Sequence, residues 1–334
     1  MTTAMKEGLI ENSNGNKIHM EQYTRLNEQE MATVLQQFDI APVTSFKLLD
    51  GGYENTNYLV KSESKKYILC ICEQKSEQEA EELAHLLNYL EAKKFNTSKI
   101  IPATNGDLTI IWKEKPVMLR SFIEGEVIKD LSPHLLNLIG KEVAKLHQIK
   151  APEYLPKQLN FGIEQFANVK KYAANSEFDG WLEKVMKYMS PYLALDLPQS
   201  LIHSDVFWDN VIISEDESNA SIMDFEDSTN YYRVFDLGMS IIGTCADGVI
   251  INLEKVKHFL NGYQSQTQLT SDEINSLKAF TIYAGASMTY WRHQNFNYVK
   301  PDPKMSAHYL GLKVLVDYVF ELDDDCFVKL MKNN

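Results

Sequence analysis

The chain has 334 residues, of which 44% are hydrophobic and 24% are charged, a composition that excludes a wholly disordered protein. Its 33 basic and 46 acidic residues give a net charge of −13, which argues against nucleic acid as the main partner because phosphate backbones repel an acidic protein. No run reaches the roughly 18 consecutive apolar residues of a membrane span, and residues 1–16 lack the apolar core of a signal peptide. We therefore expect a cytoplasmic protein without membrane contact.

The first part of the chain combines a polar tail with sheet-forming segments. Residues 1–23 are polar and predict a flexible tail, and residues 27–38 have helical spacing behind a potential Asn27 cap. The next segments are short apolar runs bounded by turn residues, followed by an amphipathic pattern and two more short runs. They predict strands at 46–49, 57–60 and 67–72, a helix at 77–94, and strands at 108–112 and 117–122.

After Gly125 the pattern becomes mainly helical. Ser132 followed by Pro133 predicts the start of a helix, and Thr270 with Glu273 has the spacing of a capping box. The predicted helices cover 133–148, 163–192, 272–290 and 306–320, and one strand pair at 211–213 and 220–223 interrupts them.

These patterns divide the chain into three parts. They are a tail at 1–23, an N-terminal domain of sheet and one helix at 24–121, and a larger helical domain at 122–334. The sequence therefore predicts an α+β protein whose strands are concentrated in its first half.

The residues that carry chemistry flank the predicted strand pair. His203, Asp205 and Asn210 precede it with the spacing H-x-D-x-x-x-x-N, and Asp224-Phe225 follow it. Phosphoryl transfer needs hard oxygen ligands for a divalent cation and a base for the attacking hydroxyl. Asn210 and Asp224 can converge on Mg²⁺, and Asp205 can orient the hydroxyl and accept its proton. With eight histidines in the chain, only about 0.02 accidental matches to this spacing are expected.

This motif and the order of elements resemble the aminoglycoside phosphotransferase/choline kinase superfamily, which is related to the protein kinases. The segment Gly52-Tyr53-Glu54-Asn55-Thr56-Asn57-Tyr58 is most similar to the G-x-E-N-T-N-Y loop of kinase-like (type II) homoserine kinases. The resemblance implies a protein-kinase-like bilobal fold, with a small antiparallel-sheet lobe that carries one helix and a larger helical lobe. It also implies ATP and Mg²⁺ as cofactors and a small-molecule alcohol as acceptor, preferably L-homoserine.

The resemblance also assigns roles around the nucleotide. The residues expected to contact it are Gly52, Asn55 and Asn57 over the phosphates, and Ser121, Phe122 and Ile123 as the hinge whose backbone pairs with adenine. Cys70 stands near the place of the phosphate-binding lysine of protein kinases, which the resembling homoserine kinases also lack. Glu79 is the candidate acidic partner among the neighbouring glutamates. Asp236 would anchor the catalytic loop, and His147 would pack in the scaffold.

The acceptor site is predicted from charge. A homoserine carboxylate needs a cation, for which Arg292 and Arg233 are candidates alongside His293, and its ammonium needs an acid such as Glu226, with Asp227 or Asp247 as alternatives. Other acceptors remain open, including choline, hydroxylysine, methylthioribose and an aminoglycoside. A nucleotide-binding module with little catalytic activity is the alternative of a different class. The chain is expected to be a monomer or a homodimer.

Overall fold

The computed structural model describes residues 9–11, 17–19, 24–49, 55–63 and 65–332. The chain divides into two compact units, which are Met1–Ala92 with Thr97–Ile123, and Lys93–Asn96 with Glu124–Asn334. The division after Ile123 lies two residues beyond the predicted boundary at 121. No helix in the described parts of the chain has the length and apolar character needed to cross a bilayer.

The first unit is built around an antiparallel sheet. Its elements are β1 (Leu9–Glu11), β2 (Lys17–His19), α1 (Glu28–Leu35), β3 (Val43–Leu48), β4 (Asn55–Ser62), β5 (Lys66–Cys72), α2 (Glu77–Ala92), β6 (Ile100–Ile101), β7 (Ile110–Trp112) and β8 (Lys115–Ser121). The main sheet has the order β3-β4-β5-β8-β6, and β7 pairs with β8. Asn27 and Glu30 form the expected capping box of α1, whose Met31 and Val34 pack with Tyr58 of the sheet.

The segment predicted as a flexible tail contains a strand pair. Leu9 lies opposite His19, Ile10 opposite Ile18, and Glu11 opposite Lys17 in antiparallel register. Each strand has only three residues, with Leu9 and Ile10 apolar in the first and Ile18 in the second, so no strand pattern stands out from the polar surroundings. The remainder of residues 1–23 lies outside the described residues.

The second unit is mainly helical. Its elements are β9 (Glu126–Val127), α3 (Pro133–His147), α4 (Ile163–Phe166), α5 (Lys170–Ala173), α6 (Glu177–Leu193), β10 (Gln199–Ile202), β11 (Val211–Ile213), β12 (Ala220–Ile222), β13 (Thr229–Tyr232), α7 (Arg233–Thr244), β14 (Ala246–Asp247), β15 (Ile250–Ile251), α8 (Leu253–Gln264), α9 (Ser271–Gln294), α10 (Tyr309–Glu321) and α11 (Cys326–Lys332). Ser132 and Thr270 cap α3 and α9 as expected. A π-helical turn, Asn295–Val299, follows α9.

Helices α7, α8 and α11 are absent from the predicted elements. In α7 every residue from Val234 to Thr244 is buried, including the polar Asp236, Ser240 and Thr244. It crosses α9 closely, since a Cβ at Gly238 would lie 2.4 Å from the carbonyl oxygen of Phe280. This packing fixes α7 beneath the loop that carries the candidate catalytic residues.

Candidate active site

The loop between β10 and β11 is anchored from α7. The backbone N–H groups of His203 and Ser204 donate to the carboxylate of Asp236, at N···O distances of 3.0 and 2.7 Å. Ser204 has a φ of 75°, a left-handed conformation that a non-glycine residue adopts only when its surroundings impose it. Asp236 thus fixes the backbone immediately before Asp205, in agreement with the anchoring role expected for it.

Asp236 is part of a buried hydrogen-bond chain. Burial raises its pKa, but the hydrogen bond and charge of His147 and the bonds from the loop outweigh this, so the net pKa is below the ordinary value. His147 Nε2 lies 3.0 Å from Asp236 Oδ2, and its Nδ1 lies 2.9 Å from the Tyr263 hydroxyl. His147 is therefore a scaffold residue that orients the anchor, as the sequence suggested.

His203 connects the loop to the end of the β12 strand. Its side chain is buried, and burial lowers its pKa, so the imidazole is neutral. Nε2 donates to the carbonyl oxygen of Met223 at 2.6 Å, and Nδ1 accepts the N–H of Asp205 at 3.2 Å. The ring therefore braces Asp205 against the residue that precedes Asp224.

Asp205 lies among other carboxylates. Burial raises its pKa well above the ordinary value, and the charges of Asp227, Asp224 and Asp209 raise it further, whereas Arg292 lowers it. A carboxylate in such surroundings has a strong affinity for a proton. Asp205 is therefore suited to accept one from a hydroxyl placed beside it.

Asn210 holds the carboxylate of Asp205 in place. Its Nδ2 donates to the Oδ2 of Asp205 at 3.0 Å and to the carbonyl oxygen of the same residue at 2.9 Å. Because the amide nitrogen is used for Asp205, the amide oxygen is the atom of Asn210 that suits a cation.

Asn210 and Asp224 lie at one end of the β11–β12 pair and fit a divalent cation. Val211 pairs with Ile222, and Met223 donates its N–H to the carbonyl oxygen of Asn210 at 2.9 Å. Asp224 is the next residue after Met223, so it lies at the same end of the strand pair as Asn210. The described residues hold no group of three or more His, Cys, Asp or Glu side chains able to bind a metal. An amide oxygen and a carboxylate are hard ligands that suit Mg²⁺ carried mainly by phosphate oxygens.

The candidate phosphate-binding residues belong to the first unit. Gly52 lies outside the described residues, whereas Asn55 and Asn57 begin β4. Asn57 pairs with Cys70 of β5, and Cys70 pairs with Met118, so the amide shares a sheet face with the position that lacks a lysine. The Oδ1 of Asn57 is buried and has no hydrogen-bond partner among the described residues, which makes it available to a ligand donor.

The candidate hinge has two backbone N–H groups that are already hydrogen-bonded. The N–H of Ser121 donates to the carbonyl oxygen of Lys99 at 2.8 Å, and that of Phe122 donates to the carbonyl oxygen of Lys66 at 3.1 Å. These two donors are therefore engaged within the first unit and not offered to adenine. The carbonyl oxygens of Ser121 and Phe122 and the backbone of Ile123 are the hinge groups left for adenine.

Glu79 has a different role from the one the resemblance implied. It accepts hydrogen bonds from the N–H and hydroxyl of Ser76 at 2.8 and 2.7 Å, and Ser76 Oγ in turn lies 3.3 Å from the N–H of Glu79. The Ser76 bonds lower the pKa of Glu79. Glu79 therefore caps the start of α2, and we correct its assignment as a nucleotide-site acid.

Arg233 is also reassigned. Its Nε and Nη2 lie 2.6 and 2.7 Å from the two carboxylate oxygens of the buried Glu273, and Nη2 also donates to the carbonyl oxygen of Gln268 at 3.1 Å. This bidentate ion pair joins the starts of α7 and α9. It uses the guanidinium N–H groups that a substrate carboxylate would need. Arg233 is a structural residue of the second unit.

The structure brings Arg292 close to the catalytic loop. The guanidinium carbon lies 5.8 Å from the centroid of the Phe207 ring, and its charge acts on Asp205. Glu226 lies in the short helical turn Phe225–Asp227, directly after Asp224. Both residues are thus near the groups expected to perform the chemistry, in contrast to Arg233.

His293 is a core residue, which corrects its place among the acceptor-site candidates. Its side chain is 6% exposed, and its ring stacks on Phe178 with centroids 3.9 Å apart and meets the ring of Tyr309 edge-on at 4.7 Å. Nδ1 has no hydrogen-bond partner among the described residues. Burial lowers the pKa of His293 to about 4.

The buried His293 is expected to make the fold acid-sensitive. The unfolded chain binds a proton near pH 6.5, whereas the folded chain resists it until about pH 4, so stability present above pH 6.5 is lost as the pH falls through this window. The loss between pH 7.5 and 5 is on the order of 2 kcal/mol. Urea unfolding at both pH values should show a loss smaller by that amount in His293→Phe. An identical loss in the two proteins would contradict this interpretation.

Sequence reasoning missed Phe207 and Tyr263. Phe207 lies inside the catalytic motif at a position that the spacing leaves unspecified, and Tyr263 belongs to α8, which was not predicted. Their roles depend on contacts with Arg292 and His147 from distant segments. No local pattern reports such contacts.

Comparison with known proteins places the chain in a family. The model of the phosphotransferase enzyme family (APH) matches residues 45–265. A homoserine kinase of Agrobacterium fabrum is 28% identical over 267 residues, which cover 76% of this chain and 81% of that protein.

Solved structures show the same fold. The amicoumacin kinase hAmiN in complex with AMP-PNP, Ca²⁺ and Ami superposes with a TM-score of 0.71 at 18% identity, covering 91% of this chain and 97% of that one. A choline/ethanolamine kinase family protein from Mesorhizobium loti has a TM-score of 0.67 at 15% identity, covering 92% and 99% of the two chains. The chain therefore belongs to the phosphotransferase enzyme family and is a kinase with the protein-kinase-like α+β fold.

Proposed function

We propose that this kinase uses ATP and Mg²⁺ to phosphorylate the hydroxyl of a small molecule, with L-homoserine converted to O-phospho-L-homoserine as the preferred reaction. The observation that carries the proposal is Asp205, held by Asn210 and by the anchored loop at the same end of the strand pair as Asp224. Support for the acceptor comes from the homoserine kinases that the chain resembles at 23–28% identity.

Asp205 orients the acceptor hydroxyl and takes its proton as the hydroxyl oxygen attacks the terminal phosphorus of ATP. The bond from that phosphorus to the bridging oxygen breaks, and ADP leaves. The Asn210 bond and the charge of Arg292 favour ionised Asp205, while burial and the neighbouring acids favour the protonated form. Asn210 and Asp224 would hold Mg²⁺, which supplies positive charge to the phosphate oxygens.

Nucleotide contacts are assigned to residues of the first unit. Asn55 and Asn57 are proposed to face the phosphates together with Gly52, and the backbone of Ser121, Phe122 and Ile123 is proposed to pair with adenine. The place of Asn57 opposite Cys70, on the same face of the sheet, supports its part in this assignment. The amides of Asn55 and Asn57 would take the place of the strand lysine of protein kinases, so the nucleotide site would have no fixed positive charge at that position.

The acceptor is proposed to lie against Arg292 and Glu226, which complement a carboxylate and an ammonium. Choline, hydroxylysine, methylthioribose and aminoglycosides remain alternative acceptors, because the same catalytic loop serves any alcohol. A nucleotide-binding module with little activity is the alternative of another class. The intact set Asp205, Asn210 and Asp224 favours an enzyme.

The test is ADP release from Mg-ATP with each of homoserine, choline, hydroxylysine, methylthioribose and an aminoglycoside. We expect turnover with homoserine well above the acceptor-free rate. Turnover with a different member alone would replace the homoserine assignment and keep the kinase. Binding of Mg-ATP by calorimetry without turnover of any acceptor would favour the binding module.

A further inference from the structure

The first residues of β4 alternate between the two faces of the sheet. Asn55 and Asn57, which are proposed to face the phosphates, share a face with Cys70, the partner of Asn57 in β5. Thr56 and Tyr58 lie on the opposite face, where Tyr58 packs in the core cluster that also contains residues of α1. The nucleotide contacts proposed above use Asn55 and Asn57 only, so Thr56 and Tyr58 have a different role.

Thr56 is bonded to a carboxylate that is almost fully buried. Its Oγ1 donates to Glu73 Oε1 at 2.5 Å, and the Glu73 side chain, just after β5, is 6% exposed. Lys115, the first residue of β8, pairs with Glu73 Oε2 and donates to Thr24 Oγ1 at 2.8 Å. Burial raises the pKa of Glu73, but the hydrogen bonds from Lys115, Thr56 and Thr24 outweigh it, so the net pKa lies below the ordinary value. The carboxylate is therefore ionised, and the bond from Thr56 is a charge-assisted one.

The segment before α1 is bonded to the same face of β4. The N–H of Thr24 donates to Glu73 Oε1 at 2.8 Å and to Thr56 Oγ1 at 3.1 Å. The Tyr58 hydroxyl donates to the carbonyl oxygen of Thr24 and accepts the N–H of Leu26, both at 2.9 Å. This segment therefore joins two residues of β4 to the carboxylate that follows β5.

These bonds fix the backbone of β4 from the face opposite the proposed phosphate contacts. Thr56 stands between Asn55 and Asn57 in the chain, so a displacement of its backbone moves both amides. Binding groups must be held within about 0.5 Å of their productive positions. The network around Thr56 can therefore set how well the two amides meet a ligand.

We propose that Thr56, Thr24 and Glu73 are positioning residues that set β4 for binding the phosphates of the nucleotide. This inference rests on the proposed nucleotide site and deepens it, because it assigns a role in ATP affinity to residues on the far face of the sheet. A nucleoside without phosphates should not depend on these bonds.

The test is Thr56→Val, which keeps the shape of the side chain and removes the hydroxyl. The N–H of Thr24 and the ammonium of Lys115 still bond Glu73, so one link is lost and the others remain. We expect the Kd for Mg-ATP, measured by calorimetry, to rise about tenfold, which is part of what a hydrogen bond to a charged group contributes. The Kd for adenosine should stay within about twofold of the wild-type value, because adenosine has no phosphates.

Three more variants separate positioning from general damage. Thr56→Ser should keep the wild-type Kd for Mg-ATP, since serine retains the donor. Glu73→Gln removes the charge at the centre of the network and should weaken Mg-ATP binding without changing adenosine binding. Thr44→Val is the matched control, because the Thr44 hydroxyl belongs to β3 of the same sheet and donates to the carbonyl oxygen of Lys61 at 3.2 Å. Its Kd for Mg-ATP should equal that of the wild type.

Equal weakening of Mg-ATP and adenosine binding in Thr56→Val, or no weakening of either, would overturn the positioning role, although the kinase function would stand. A Thr56→Ser variant as weak as Thr56→Val would overturn it as well. If the wild type binds Mg-ATP and phosphorylates no alcohol, the kinase proposal fails, and a selective loss of Mg-ATP binding in Thr56→Val still supports the positioning role. A wild-type protein that binds no Mg-ATP overturns both proposals.

Discussion

Replacing Asp205 with asparagine is expected to lower kcat by about 10² to 10⁴, the usual contribution of a positioned general base. The asparagine keeps the size of the side chain and leaves the backbone anchored by Asp236, so binding of Mg-ATP should persist. Stability should stay the same or rise, because the substitution removes a half-buried carboxylate from the neighbourhood of three others. Turnover, calorimetric ATP binding and thermal unfolding of the same preparation check these expectations.

The matched control for Asp205 is Glu215→Gln, an exposed acid in the turn after β11. It should keep turnover within about threefold of the wild type, as is usual for an exposed substitution that removes no reacting group. If Asp205→Asn retained half of the wild-type turnover, Asp205 would not be the base. Loss of both turnover and cooperative unfolding would point to a structural role instead.

Replacing Asp224 with asparagine is expected to remove the effect of Mg²⁺ on ATP binding. Loss of a group that merely supports a metal ligand costs 10- to 100-fold in affinity, so losing the charged ligand should cost at least about 100-fold in Mg²⁺ affinity. Calorimetry with ATP, in the presence and absence of Mg²⁺, should show the enhancement in the wild type and none in the variant. Turnover should fall in parallel.

Asp216→Asn is the control for this experiment. Asp216 is an exposed acid between β11 and β12, where its carboxylate accepts hydrogen bonds from the hydroxyls of Ser214 and Ser218. It changes the net charge by the same amount as Asp224→Asn and should leave the Mg²⁺ enhancement intact. A full Mg²⁺ enhancement in Asp224→Asn would rule out Asp224 as the metal ligand.

Local patterns in the sequence were sufficient to predict the start of each helix whose N-cap side chain bonds its own first turn. Asn27, Ser132 and Thr270 begin helices as predicted, because a cap is a contact between residues three positions apart. The H-x-D-x-x-x-x-N spacing likewise identified the loop of Asp205, since the residues of that loop are neighbours in the chain. Helix α7 was not predicted, and its polar residues Asp236, Ser240 and Thr244 are buried together with its apolar ones.

Charge alone could not choose among the candidate acceptor residues. Arg233 and Arg292 are equivalent as residue types, yet Arg233 meets Glu273, 40 residues away, while Arg292 meets Phe207. In the same way, Glu79 looked like a nucleotide-site acid and is a helix cap for Ser76. A side chain's partner depends on which distant segments the fold brings together. A pattern in a single sequence does not show which segments these are.

The amino-acid order was therefore enough to identify the α+β kinase fold and the loop that contains Asp205 and Asn210. Spacing along a strand or a turn limits where neighbouring side chains can lie, so these features are local. Three contacts depend on helices from remote parts of the chain. The catalytic loop packs against Gly243 of α7, Asp236 of α7 holds its backbone, and His293 of α9 is buried. Close packing sets these contacts, and they determine which charged residues remain near Asp205.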